Sequence, residues 1–182
     1  MKRTFSIGGV HPADNKISRG CAIENLPTPP TVYISVSQHI GAPAKPIVAV
    51  GDKVLTGQPI AEPGGFVSAY IHSSVSGTVK SIGPRKDLAG NMQTCIEIQV
   101  EGDEWMENID RTDTLVTEFT DDNKVIMDKI KMGGIVGLGG ATFPTHVKLT
   151  PPPGKKCDML IINGCECEPY LTSDFRTLLE KG

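Results

Sequence analysis

Residues Gly133 to Lys148 read GGIVGLGGATFPTHVK, with five glycines, a Phe-Pro pair and a terminal lysine in sixteen positions. Glycine lets backbone N–H groups approach a ligand closely or take positive φ. Consecutive N–H groups in such a turn form a concavity suited to a phosphate or pyrophosphate. Lys148 adds a positive charge, and Phe143 offers a ring face to a flat cofactor. Read alone, a glycine-rich loop is equally compatible with a tight turn that binds nothing.

Working outward, the second informative stretch is Asn163 to Tyr170, NGCECEPY. It follows the apolar run Met159-Leu160-Ile161-Ile162, whose pattern predicts a short buried parallel strand. Open α/β sheets bind ligands at the carboxyl ends of such strands. That places Asn163, Glu166 and Glu168 beside the glycine loop, acceptors facing donors. Upstream, Asp122 to Met132 has helical period, with Val125, Ile126, Lys129 and Ile130 on a partly apolar face. Thr120 or Asp121 is the expected cap, with acids in the first turn, Lys129 and Lys131 in the last, and Gly133 as the stop. Downstream, Pro151 to Gly154 predicts an extended turn. Asp174 to Glu180 predicts a short helix capped by Thr172 or Ser173.

The 182 residues allow one sizeable domain, or a small domain and part of another. Twenty glycines and 14 prolines favour turns and β structure over long helices. A net charge of −3 gives no electrostatic reason to expect nucleic acid. No apolar run approaches the ~20 residues of a membrane span, and MKRTFSIGG lacks the apolar core of a signal peptide. Five scattered cysteines do not make a secreted disulfide framework, which points to a reducing cytosol. No C-x₂-C-x₂-C run is present to hold an iron–sulfur cluster. His11 lacks companion ligands, and Cys165 with Cys167 supplies only two, so no metal site is expected.

From Thr31 to about Val100 the pattern is all-β. Thr31 to Val36 and Cys95 to Val100 alternate as strands do. Gly51-Asp52 is a turn signal, Gly57 marks a second turn or bulge, and Ser74 to Val79 repeats the strand–Gly–strand logic. Pro27, Pro29 and Pro30 rule out a helix before this region and suggest an extended lead-in packed over a sheet. Residues 102 to 117 read as a linker, with Trp105 packed over the barrel edge. The expected division is a β-rich domain over residues 1–117 and a second domain over 118–182.

Taken together, GLGGATFPTHVKL followed by INGCECEPYLTSD closely resembles the C subunit of the Rnf ion-translocating electron-transport complex. More distantly it is similar to the flavin- and NADH-binding subunit of respiratory complex I. Gly8-Gly9-Val10-His11-Pro12 matches an element typical of the Rnf family near its start. The β region resembles the barrel-sandwich hybrid of biotinyl and lipoyl carrier domains. Its connection Ala61 to Phe66 has no lysine to modify, and Lys53 and Lys80 lie in the flanking motifs. The implied fold class is β plus α/β: an unmodified barrel-sandwich hybrid, then the start of a flavin-binding α/β domain.

The resemblance also implies roles. Gly137, Gly139 and Gly140 match glycines that lie against FMN, Phe143 falls where a ring contacts the nicotinamide, and Lys148 where an amine reaches flavin or nucleotide. Asn163 matches a flavin-contacting asparagine, and Glu166 and Glu168 match two carboxylates, the second close to NADH. Leu138, Thr142, His146 and Cys165 depart from the complex I pattern. No side chain is assigned a catalytic role, because hydride chemistry belongs to the flavin. The implied protein takes hydride from NADH onto FMN and exchanges electrons with two 4Fe-4S clusters, which the family carries further along its length. This chain thus reads as the amino-terminal part of such a subunit. Its implied partners are the membrane subunits of the complex, and its implied place is cytoplasmic, on the inner face of the membrane. The alternatives are a non-catalytic docking module, or an electron-transfer adaptor for another reductase.

Overall fold

Alternating β-branched residues build the first layer. The computed structural model describes residues 12–181 apart from 88, 113, 115–121, 165 and 167. Its strands are β1 (Thr31–Ser35), β2 (Lys45–Pro46), β3 (Lys53–Val54), β4 (Pro59–Glu62), β5 (Ile71–His72), β6 (Gly77–Lys86) and β7 (Met92–Val100). They form two antiparallel sheets, ordered β1-β7-β6-β3 and β2-β4-β5. All seven strands belong to one compact unit, Thr28–Lys156. Described residues 12–27 and 157–181 belong to a second.

The register of β7 explains the core. Ile98 pairs with Val32 of β1 and Val79 of β6, and Ile96 pairs with Ile34 and Ile82. Two apolar rows therefore run across three strands on one face. Val79, Ile96 and Ile98 are sealed from solvent, as are Val54 and Ile60. Each such side chain contributes about 1.5–3 kcal/mol by leaving water. A register shift between Val79 and Ser81 leaves Lys80 as the extra residue of a bulge. The other face of these strands is polar. Tyr33, Ser81 and Arg85 all donate to the Glu97 carboxylate, and the Arg85 guanidinium lies 3.8 Å from the Tyr33 ring centre.

The turn expected at Gly51-Asp52 forms, with Asp52 N–H donating to the Ala49 carbonyl and Ala49 N–H to the Asp52 carboxylate. The connection from β4 to β5 carries no lysine and leaves Phe66 81% exposed. Beneath it, buried His39 accepts the Ala69 N–H at Nε2 (3.1 Å), which leaves Nδ1 to donate to the Ile40 carbonyl (3.2 Å). Trp105 sits at the barrel edge, bridged to Thr56 through the backbone, with Arg111 over its ring.

Three helices follow: α1 (Asn123–Met132), α2 (Thr145–Lys148) and α3 (Ser173–Lys181). Three expectations are corrected. The cap of α1 is Asp122, whose carboxylate accepts the Val125 N–H at 2.8 Å; Thr120 and Asp121 lie outside the described residues. With Asp122 used as the cap, the first turn contains no acid. The run Met159 to Ile162 is not a strand, and its side chains are 69–81% exposed. A strand needs a neighbour's ladder of hydrogen bonds, and among the described residues none pairs with this run.

Residues 12–27 of the lead-in belong to the second compact unit. There they bond to the carboxyl-terminal stretch: Tyr170 N–H donates to the Asp14 carbonyl, and Ile23 N–H to the Glu180 carboxylate. Residues 8–11 of the GGVHP element lie outside the described residues.

The core predicts its own weak point. Ile96→Ala should cost about 2–5 kcal/mol, because β7 is central and the cavity is walled by strands that cannot collapse. Urea unfolding followed by circular dichroism would measure it, and a loss below about 1 kcal/mol would mean the two rows are not the core.

Candidate functional site

The glycine loop begins where α1 ends. Gly133 closes the helix with its N–H on the Lys129 carbonyl and an ordinary helical φ of −69°. Gly134 makes the turn, at φ +63°. A Cβ there would lie 2.3 Å from the Tyr70 carbonyl oxygen and 3.3 Å from His72 Cε1. Only glycine permits both that φ and that approach. Beyond it the chain forms a small hairpin. Thr145 N–H donates to the Ile135 carbonyl (2.9 Å), Val136 bridges Pro144, and Gly137 N–H donates to the Phe143 carbonyl (3.0 Å). The buried ring of Pro144 anchors the returning arm and starts α2.

The predicted residues of this loop fall into three groups. Gly137 is crowded, since a Cβ on it would meet Lys148 Nζ at 2.5 Å. The lysine therefore folds back over the hairpin, and its ammonium lies at the Gly137 backbone. Phe143 is half-buried and contributes its carbonyl to the hairpin. Gly139 and Gly140 occupy the exposed tip, where a Cβ would meet no atom within 4 Å. Neither has a positive φ. The chain's own packing gives no reason for glycine at these two positions, so what they offer is bare backbone. Thr142, also at the tip, is held at φ +52°, an unusual conformation for a β-branched residue.

Asn163, Glu166 and Glu168 lie in the other compact unit. Glu166 is half-buried, and its Oε1 accepts the N–H of Asp174 in the first turn of α3 (2.9 Å). That is where a carboxylate is favoured. The hydroxyl of Thr172, an expected cap, instead shares a hydrogen bond with Ser18 (2.8 Å). Lys16 Nζ donates to the carbonyls of Glu168 and Leu171. Asn163 and Glu168 are exposed, and Cys165 and Cys167 lie outside the described residues. Among the described residues no group of three or more His, Cys, Asp or Glu side chains is placed to hold a metal. No helix among them is long and apolar enough to cross a membrane.

Two histidines beside the loop escaped the sequence reading, or entered it only as a departure. His72, on β5, is half-buried, and burial holds its pKa below the ordinary histidine value while the Met132 carbonyl pulls it up. His146, on α2, is lowered by burial and then by the charge of Lys131. Its Nδ1 is buried and finds no hydrogen-bond partner among the described residues. No local pattern marks His72, because its importance comes from what α1 brings against it.

Residues 4–103 match the family model of the RnfC barrel sandwich hybrid domain, and residues 130–182 match that of the Nuo51 FMN-binding domain. The chain belongs to the RnfC family. It is 49% identical over 182 residues to the C subunit of a proton-translocating ferredoxin:NAD(+) oxidoreductase complex of Clostridium ljungdahlii, matching 99% of this chain and 39% of that protein. Against the Na(+)-translocating counterpart of Acetobacterium woodii it is 44% identical, over 92% of this chain and 38% of the relative. The C subunit of an ion-translocating oxidoreductase complex of Rhodobacter capsulatus is 41% identical, over 98% and 35%. The chain thus spans between 35% and 39% of the length of these relatives. The second match begins at residue 130, just before the glycine loop and inside the compact unit that also contains the sheets.

The two histidines make stability pH-dependent with a defined sign. Both have folded pKa values below the unfolded value of about 6.5, so the unfolded chain binds protons first as pH falls. Their contribution is complete above about pH 6.5 and is lost as pH drops through the folded values. Urea midpoints measured from about pH 7.5 to about 5 should fall in the parent and fall less in the His72→Gln, His146→Gln double variant. Equal slopes in the two proteins would show that neither ring is buried as described.

Proposed function

We propose that the chain is the flavin-binding part of an NADH-oxidising peripheral subunit of a membrane-bound, ion-translocating electron-transport complex. The observation that carries this is the tip of the glycine hairpin, where Gly139 and Gly140 are demanded neither by φ nor by neighbouring atoms. Bare backbone facing outward is what a flat, phosphorylated cofactor requires for close approach. The strained Thr142 at the same tip fits the tendency of backbone strain to gather at ligand sites.

The residues fit FMN by kind as well. Exposed N–H groups of the tip would receive the isoalloxazine or phosphate, Lys148 would set positive charge beside it, and Phe143 would border the nicotinamide. Asn163 would contact the flavin, and Glu166 and Glu168 would present carboxylates, the second toward NADH. When bound, FMN supplies the exchange between two-electron hydride transfer and single-electron steps. The protein's part is to orient the ring and set its electrostatics. Electrons would pass to, or come from, 4Fe-4S clusters elsewhere in the complete protein.

In this reading residues 1–117 are a biotinyl/lipoyl-like barrel-sandwich hybrid that carries no modification. Residues 118–182 open an α/β flavin domain. Partner subunits hold the protein on the cytoplasmic face of the membrane, with NADH its soluble substrate. The relatives named as ferredoxin:NAD(+) oxidoreductase subunits support both the nicotinamide and the complex.

Gly140→Val separates this reading from that of a structural turn. A Cβ added there meets no protein atom within 4 Å, so the fold should be unaffected, while FMN affinity should fall about tenfold to a hundredfold from overpacking against the cofactor. Lys148→Ala should cost less, on the order of 0.5–1.5 kcal/mol. Flavin absorbance per protein, with circular dichroism as the fold control, is the measurement. Full flavin occupancy in Gly140→Val would sink the proposal.

A further inference from the structure

We propose that His72 is a positioning residue for the glycine loop, forming with the Tyr70 carbonyl the seat on β5 that sets where the loop lies. The consequence for flavin rests on the reading above, but the seat itself does not.

Three contacts converge there. The Tyr70 carbonyl oxygen and His72 Cε1 close over the Cα of Gly134, leaving no room for a side chain. The His72 ring also borders the carboxyl end of α1, lining one groove with Met132, the last residue of that helix, whose carbonyl pulls the ring's pKa up. A groove of about 540 Å³, lined by Pro59, His72, Met106, Ile109, Met132 and Gly133 among others, runs along the same junction. The end of α1 therefore meets β5 through a close backbone approach and one polar side chain, beside a groove that its neighbours do not fill.

From this seat backbone hydrogen bonds run on to the base of the tip. Ile135 N–H returns to the Ile130 carbonyl, and Thr145 N–H and Gly137 N–H close the hairpin. On its other flank α1 sets the charge of Lys131 beside His146 of α2. A displacement of α1 from β5 thus carries the hairpin with it, while the rows of β1, β7 and β6 have no part in the junction. The barrel-sandwich domain is then part of the flavin apparatus, because one of its strands aims the loop. Imidazole suits this position because it is rigid, half-buried, and can present an N–H to a helix carboxyl end, where carbonyls lack partners.

The test is amide hydrogen exchange on the parent, His72→Ala, His72→Gln and Gly134→Ala, together with FMN titration by flavin fluorescence. In His72→Ala the Gly137 and Thr145 amides should exchange about tenfold faster while those of Val79 and Ile96 keep their rate. His72→Gln, which retains a donor, should restore most of the protection. Gly134→Ala, strained at φ +63° and crowded by Tyr70, should loosen the same amides more. FMN affinity should follow the loop amides, falling about tenfold in His72→Ala and recovering in His72→Gln. Unchanged loop amides in both His72→Ala and Gly134→Ala would overturn the proposal. So would acceleration spread equally to Val79 and Ile96, or the lack of any recovery in His72→Gln. If the parent takes up no FMN, the flavin reading fails, and the loop amides still decide the seat.

Discussion

The long antiparallel pairing of β6 with β7 is the contact on which the larger unit depends. It runs from Gly77 opposite Val100 to Lys86 opposite Met92, and it carries β1 on one flank and β3 on the other. Without it Ile98 and Ile96 lose Val79 and Ile82 as lateral neighbours, and the two apolar rows of the core shrink to their pairs with β1. A chain with 5% aromatic residues has few large side chains to bury. Its cohesion comes from the strict register of Val and Ile rather than from bulk. A slip of one residue would turn Glu97 inward and Ile96 outward, exchanging the buried rows for the polar cluster around Arg85.

The glycines of the loop divide by cause, and that division carries the functional argument. Gly134 is glycine because its φ is +63° and the Tyr70 carbonyl leaves it no room, so it is accounted for within the chain. At Gly137 a Cβ would meet only the flexible end of Lys148, and at Gly139 and Gly140, two and three residues further on in the same hairpin, it would meet nothing. Binding reserves surface that folding does not use, so residues unexplained by packing are where a ligand is expected. The same reasoning makes Thr142 informative, since a threonine at positive φ is a local cost that the hairpin alone has no evident need to bear.

What was legible in the sequence follows the range of the forces involved. Alternation in Thr31 to Val36 and Cys95 to Val100, the Gly51-Asp52 turn and the Gly133 stop are local signals, and the structure contains each of them. The run Met159 to Ile162 has an equally local signal and is not a strand, because a strand also needs a partner that no local pattern supplies. The cap of α1 was misplaced by a residue or two, since Asp121 and Asp122 look alike until the Val125 N–H selects one. His72 was invisible for a different reason. It sits between Ile71 and Ser73 with nothing nearby to single it out, and only the arrival of α1, about sixty residues later, brings a helix end against it.

Glu166 shows how a residue read as a ligand acceptor also belongs to the fold. One of its oxygens accepts from the first turn of α3, which satisfies a helix N–H that would otherwise lack a partner. A carboxylate has about four acceptor positions across its two oxygens, so a single N–H leaves acceptor capacity for a ligand donor. The cap also removes rotamer freedom that a ligand would otherwise have to freeze. A carboxylate already oriented by a helix end loses less entropy on binding than one on a mobile loop. The helix and the acceptor are therefore one arrangement: α3 holds Glu166 in place, and Glu166 favours the start of α3.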